Sequence, residues 1–212
     1  MSSRGRRGRR RVALAALLGA VGTGGCAVPG TPQPSPSALH EGETLTSTMY
    51  VTAYSWYDNT PTGARISHPV LHKEAGGTGT YDDPVTVAVG HQRLPDAHVL
   101  DHPAGTRFYL PFAQRYFIVE DTCGDGPSPQ NGPCHRLDTP TNPAPQGATG
   151  WIDVWLDGHD LPRATVKDCA RSATGMHVVV IDARPGYRVA PGAGLMHDGG
   201  CDVGHGEIPL PQ

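Results

Sequence analysis

The chain has 212 residues, 37% of them hydrophobic and 17% charged, with 17 basic against 20 acidic side chains. Six of the basic residues (Arg4, Arg6, Arg7, Arg9, Arg10 and Arg11) crowd the N-terminus, so the remainder holds 11 basic against 20 acidic residues, a net of −9. Such a balance argues against nucleic acid and anionic polymers as general partners, and leaves a neutral or locally cationic polysaccharide acceptable.

The arginine cluster leads into the apolar run Val12–Val21 and then small residues up to Cys26. A charged region, a short apolar region and small residues before a cleavage point make a secretory signal over residues 1–25. The apolar run is too short for a permanent transmembrane helix. Thr23-Gly-Gly-Cys26 is similar to the lipobox of bacterial lipoproteins, with Thr23 where an aliphatic is usual, so Cys26 is the expected lipid-bearing residue. Ordinary cleavage nearby is the alternative, and the choice between Sec and twin-arginine export stays open. Residues 26–47 are a Pro/Ser-rich tether with almost nothing to bury. From about Thr48 to residue 185 the composition is globular, long enough for one domain with its own core, and 186–212 form a C-terminal tail. A monomer is expected.

Short strands with Gly and Pro punctuation follow. Tyr50–Trp56 alternates Tyr50, Thr52, Tyr54 and Trp56 against Val51, Ala53 and Ser55, an aromatic face for a groove and a small face for a tight barrel. Asp58-Asn59 turns the chain. After a Gly-rich loop at 76–83 comes Val85–Val89, then a hairpin of 105–110 with 114–120 around Pro111. The run Phe117-Ile-Val-Glu-Asp121 delivers Asp121 to a Gly-containing loop, and Trp151-Ile-Asp153-Val-Trp155 sets Asp153 between two indoles on one face. Met176–Asp182 reads as a final strand. No stretch has a sustained helical period. The pattern is all-β, a barrel or a sandwich.

Besides Cys26, four cysteines remain: Cys123, Cys134, Cys169 and Cys201. In an exported chain an even number reads as two disulfides. Three pairings are possible, and locality favours Cys123–Cys134 and Cys169–Cys201, the second holding the tail. A zinc site made from these cysteines with His197 and His205 ranks lower, for want of a CxxC spacing. His68/His72 and His98/His102 have i, i+4 spacing, but Pro69 and Pro103 disfavour helices there. Scattered surface histidines are expected, with no metal and no cofactor.

Taken in order, the Tyr54-Ser-Trp-Tyr-Asp58 segment, the Gly105-Thr-Arg hairpin, Val119-Glu-Asp-Thr-Cys-Gly-Asp125 and Trp151–Trp155 resemble the six-stranded double-psi β-barrel over roughly residues 48–183. Relatives of that fold include the 3D domain of lytic transglycosylases, rare lipoprotein A, expansins and family-45 endoglucanases. The resemblance implies Asp121 and Asp153 at the two acidic positions, and Asp58 at a third. The chain departs in its longer loop between the acidic strands and in lacking the Arg-Gly-Pro-Phe run of rare lipoprotein A.

Cleaving a glycosidic bond needs a proton donor at the leaving oxygen, and hydrolysis usually adds a second carboxylate. Asp121 and Asp153 are the expected pair, with Asp58 a third candidate that also suits a turn. Tyr50, Tyr54, Trp56, Trp151 and Trp155 would stack on sugar rings. Enclosure between indoles would favour the neutral, proton-donating form of Asp153. The bland alternative has the acids bracing turns and the aromatics packing. The expectation is thus an exported protein, lipid-anchored or secreted, acting on peptidoglycan or β-glucan. Its rivals are a non-catalytic carbohydrate-binding or expansin-like module, and a structural protein, which interior tryptophans would favour.

Overall fold

The computed structural model describes residue 39 and residues 43–212, with nothing described of the side chains of 45–48. The expected signal, Cys26 and nearly all of the tether lie outside the described residues. Among the described residues ten strands and one α-helix occur: β1 Thr44–Ser55, β2 Val85–Val89, β3 His91–Leu94, β4 Ala97–Leu100, β5 Arg107–Leu110, β6 Arg115–Thr122, β7 Gly150–Leu156, α1 Arg163–Ala173, β8 Gly175–Ile181, β9 Met196–His197 and β10 Gly200–Cys201. No helix among them is long and apolar enough to cross a membrane.

Six strands close into a barrel in the order β1-β7-β2-β6-β5-β8. Two neighbours run parallel, β1 with β7 and β2 with β6, and the other four contacts are antiparallel. Closure leaves no free edge, which suits a small β domain. The expected strands at 85–89, at 105–120 and near 176–182 are all present. The first strand starts earlier than the composition suggests, at Thr44, because its leading residues pair with Val179–Ile181 of β8. Val51, Val87, Val89, Phe108, Leu110, Phe117, Val119, Ile152 and Val154 belong to the main core. Each such side chain contributes roughly 1.5–3 kcal/mol when fully buried. All five residues of β2 are buried, so both of its faces are covered.

The helix corrects the all-strand expectation. Its buried side, Val166, Cys169 and Ala173, has helical i, i+3, i+7 spacing within a single run of 11 residues, a signal the sequence carries but the strand reading overlooks. Its anchorage is covalent: Cys169 is bonded to Cys201, and Cys123 to Cys134, the pairing that locality favoured. Two disulfides point to an oxidising, extracellular compartment.

The segment after β8 is built into the fold. Arg115, at the head of β6, is fully buried. Its guanidinium donates to the carbonyls of Gly194 (3.1 Å), Pro191 (2.8 Å) and Gln114 (3.1 Å), and to the Asp202 carboxylate at 2.8 Å. A planar cation with five fixed donors suits a loop whose carbonyls have no strand partner. Alongside it, Tyr109 and Tyr187 stack at 4.6 Å, and the Tyr116 hydroxyl accepts from Tyr187 N while donating to Arg184 O. Arg115→Met should cost about 3–5 kcal/mol, because it strands buried acceptors and one carboxylate. A lower urea midpoint, with amides of 190–204 losing exchange protection first, is the expected result.

Candidate active site

The site is made where β6 breaks its register with β2. Val87 pairs with Val119, but the next β2 residue, Ala88, pairs with Asp121, so Glu120 is the extra residue of a β-bulge. Ala88 also pairs with Asp153, and Asp153 with Thr52. Thr52, Asp153, Ala88 and Asp121 therefore form one row across β1, β7, β2 and β6. The two acids flank a methyl group, with backbones two strand spacings apart, about 9–10 Å.

Their surroundings differ. Asp121, 6% exposed, accepts from Ser67 N (3.0 Å), Ser67 Oγ (2.9 Å), Thr122 N (2.9 Å) and the Tyr54 hydroxyl (3.0 Å). Tyr54 keeps its proton: burial, followed by the charges of Asp121 and Asp153, holds its ionisation well above the usual tyrosine range. Asp153 is half-buried, with one strong partner, the Thr52 hydroxyl at 2.7 Å, which in turn accepts from Trp151 Nε1 at 2.9 Å. Desolvation pushes its carboxyl up to about 7; the Thr52 hydrogen bond opposes the rise, and the nearby Asp58 and Asp121 charges add to it. One acid is thus surrounded by donors and the other is disposed to hold a proton near neutrality.

The bulged Glu120, which the sequence reading passed over, is fully buried and holds the loop that covers Asp121. Its carboxylate accepts from the backbone N–H groups of Val70 (3.1 Å), Leu71 (2.6 Å) and His72 (2.9 Å), from His72 Nδ1 (2.6 Å) and from Thr86 Oγ1 (3.2 Å). His72 Nε2 meets Asp83 at 2.9 Å. Burial opposes its charge, yet hydrogen bonds to Asp83 and Glu120 raise the His72 pKa. Burial likewise works against Glu120, whose ionisation nevertheless falls below its ordinary value because His72 and the loop amides bond to it.

Three of the histidines, His68, His91 and His98, are gathered at the site, while the other described histidines are spread over the molecule. His91 is buried, and its Nε2 must donate to the Gly124 carbonyl at 2.9 Å. Its Nδ1 is then an acceptor, facing His98 Nε2. His68 packs on His98 at 5.2 Å between ring centres, and its Nδ1 lies 2.9 Å from Ser67 Oγ, which already donates to Asp121. Burial, with the neighbouring imidazoles, lowers the pKa of both His68 and His98. Among the described residues no group of three or more His, Cys, Asp or Glu side chains could hold a metal ion.

Asp58 is a turn residue: its Oδ1 accepts from Ser55 N (2.8 Å) and Ser55 Oγ (2.5 Å). The aromatic face divides. Tyr54, Trp151 and Trp155 are buried, with Tyr50 edge-on to Trp151 at 4.8 Å and Tyr54 edge-on to Trp155 at 5.2 Å. These three pack instead of forming the open platform the alternation suggested; Tyr50 and Trp56 keep partial exposure. Trp155 Nε1 is buried with no hydrogen-bond partner among the described residues. Beside Asp121 lies a cavity of about 220 Å³, lined among others by Asn59, Arg65, Ser67, His91, Arg93 and Asp125.

Residues 46–202, a span that begins inside β1 and holds the other barrel strands and both disulfides, match the family described as DDB_G0273701 N-terminal domain. The chain belongs to that family. It is also 40% identical, over 73 residues, to uncharacterized protein DDB_G0273701/DDB_G0273221 of Dictyostelium discoideum. That alignment covers 34% of this chain and 29% of the relative, so the chain spans less than a third of the length of the relative it matches. No solved structure matches. The family limits enclose Asp58, Glu120, Asp121 and Asp153 together.

Two outcomes follow from this geometry. The folded chain holds a proton on Asp153 that the unfolded chain releases above about pH 4. Its contribution to stability is therefore complete below pH 4 and lost as pH rises through about 7. Carboxyl-carbon NMR should give a midpoint near 7 for Asp153, raised further by Thr52→Val. Glu120→Gln should cost roughly 1–3 kcal/mol by leaving buried donors unsatisfied, and hydrogen exchange should quicken at residues 70–72 while the barrel strands stay protected.

Proposed function

We propose that the protein is an exported double-psi β-barrel that acts on cell-wall or other polysaccharide by cleaving glycosidic bonds. The fold reading is supported by two parallel strand pairs within a closed barrel of six, and by Asp121 and Asp153 on adjoining parts of its motif strands. The observation that carries the activity is the shared row of Asp121 and Asp153 in unlike surroundings. Two carboxyl groups whose environments push them apart make an acid and a charge-stabilising partner.

Asp153 is the proton donor to the leaving oxygen. Asp121, fixed by four donors, supplies negative charge across from the sugar that becomes cationic in the transition state. Its acceptor capacity is largely taken by its own chain, which suits a one-acid, transglycosylase-type cleavage in which a sugar hydroxyl attacks, with Asp153 returning as base. An N-terminal lipid anchor on Cys26, or release into the medium, completes the proposal; peptidoglycan and β-glucan are the candidate polymers.

A second reading, a non-catalytic glycan-binding or wall-loosening module, is favoured by the loop-bracing bonds that occupy Asp121. Purified peptidoglycan and soluble β-glucans, treated with wild type, Asp121→Asn and Asp153→Asn, separate the two. Anhydro-sugar products that fall at least a hundredfold in Asp153→Asn are expected, with wild-type kcat/KM declining above about pH 7 as Asp153 loses its proton. Reducing ends without anhydro groups would mean hydrolysis. Glycan binding without products in all three proteins would leave only the second reading.

A further inference from the structure

The cavity beside Asp121 is lined by two arginines, Arg65 and Arg93, together with Asp121 and Asp125. Acids outnumber bases by 20 to 17 in the whole sequence, and by more once the N-terminal arginines are set aside. Of the described arginines, Arg115, Arg136 and Arg171 pair with Asp202, Asp138 and Asp168. Arg65 and Arg93, like Arg107, Arg163, Arg184 and Arg188, have no carboxylate within ion-pair distance among the described residues, and these two line the cavity beside Asp121 from separate segments.

Each is fixed at its backbone. Asn59 Nδ2 donates to the carbonyls of Gly63 and Arg65, both at 2.9 Å, and Ala75 N to the Ala64 carbonyl at 2.7 Å, which shapes the loop bearing Arg65. Arg93 stands in the β3–β4 hairpin, opposite His98 in register. Both side chains are exposed, free to close on a ligand. Two acids share the lining. Asp121 is occupied by its four donors, and Asp125 stands exposed in the turn after β6. Two unpaired guanidiniums lining one polar cavity with Asp121, one member of the proposed acid pair, match a planar anion on a sugar.

We infer that Arg65 and Arg93 form a subsite for a carboxylate carried by the glycan, so that the substrate is an acidic polysaccharide strand and not a neutral glucan. This rests on the polysaccharide reading above. The shared chemistry is a sugar-borne carboxylate, from a uronic acid or from the lactyl and peptide groups of peptidoglycan.

The test measures binding of the full chain, and of Arg65→Gln/Arg93→Gln, to polygalacturonate, to peptidoglycan strands and to a neutral mixed-linkage β-glucan, at low and high salt. Product release is followed in parallel, and thermal melting confirms that the exposed substitutions leave the fold intact. The expected result is at least tenfold tighter binding to one acidic polymer than to the neutral glucan, weakened by salt and abolished as a preference in the double variant. Arg65→Lys/Arg93→Lys should recover part of it, since charge returns without the bidentate fork. Whichever acidic polymer is preferred identifies the source of the carboxylate. Equal binding to acidic and neutral polymers, or a preference unchanged in the double variant, overturns the subsite. Cleavage of neutral glucan without preference overturns the subsite but keeps the cleavage reading. A carboxylate preference without any products keeps the subsite and removes the cleavage reading, and absence of binding to all three polymers removes both.

Discussion

Two consecutive carboxylates, Glu120 and Asp121, hold against the barrel a loop whose one backbone bond to β6 runs from His68 N to the Glu120 carbonyl. Glu120 accepts from three successive amides at 70–72, and Asp121 accepts from the amide and hydroxyl of Ser67. In a regular strand neighbouring side chains point to opposite faces, so the bulge at Glu120 lets both serve the same loop. A buried carboxylate is costly unless donors surround it, and here the loop supplies the donors the acids require. The loop in turn brings Ser67 and His68 to the site.

The same logic recurs with opposite sign at the other end of β6. Arg115 is a buried cation around which the carbonyls of 191–194 converge, and Asp202 completes the cluster, also accepting from His197 and His205. One strand therefore organises both irregular parts of the molecule, an acid pair at its end and a cation at its start. The disulfides act on the flanks: Cys123–Cys134 closes the segment just after Asp121, and Cys169–Cys201 ties α1 to the segment that Arg115 gathers. Irregular backbone is tolerated here because Glu120, Asp121 and Arg115 supply partners to the amides and carbonyls of the two loops.

The proposed chemistry depends on an asymmetry that this architecture creates. Asp153 sits on a regular strand, where a threonine hydroxyl is its one strong partner, and so burial dominates its titration. Asp121 sits at a bulge and a strand end, where free amides are plentiful. Ala88 keeps the space between them small and apolar. Two aspartates in the same row thus take different roles from backbone geometry alone.

Alternation and turn residues in the sequence determined the strand set of the barrel and the parity of Trp151, Asp153 and Trp155. Those are local consequences of a two-residue period. Cysteine spacing likewise favoured the pairing that forms. Other features were not legible. Helix α1 shows its period over only 11 residues, and β3, β4, β9 and β10 are too short to leave one. Parity placed the aromatics correctly on one face but could not say that this face would be covered. The histidines of 68, 91 and 98, far apart in the chain, meet only because the loop and hairpin bearing them are packed together. The roles of Glu120, Thr52 and Ser67 depend on register, and register is decided by barrel closure, which sums contacts across the whole chain. The residues were determined by the sequence, whereas which acid keeps a proton and which is clamped was decided by the tertiary structure, because burial and donor supply are properties of the assembled barrel.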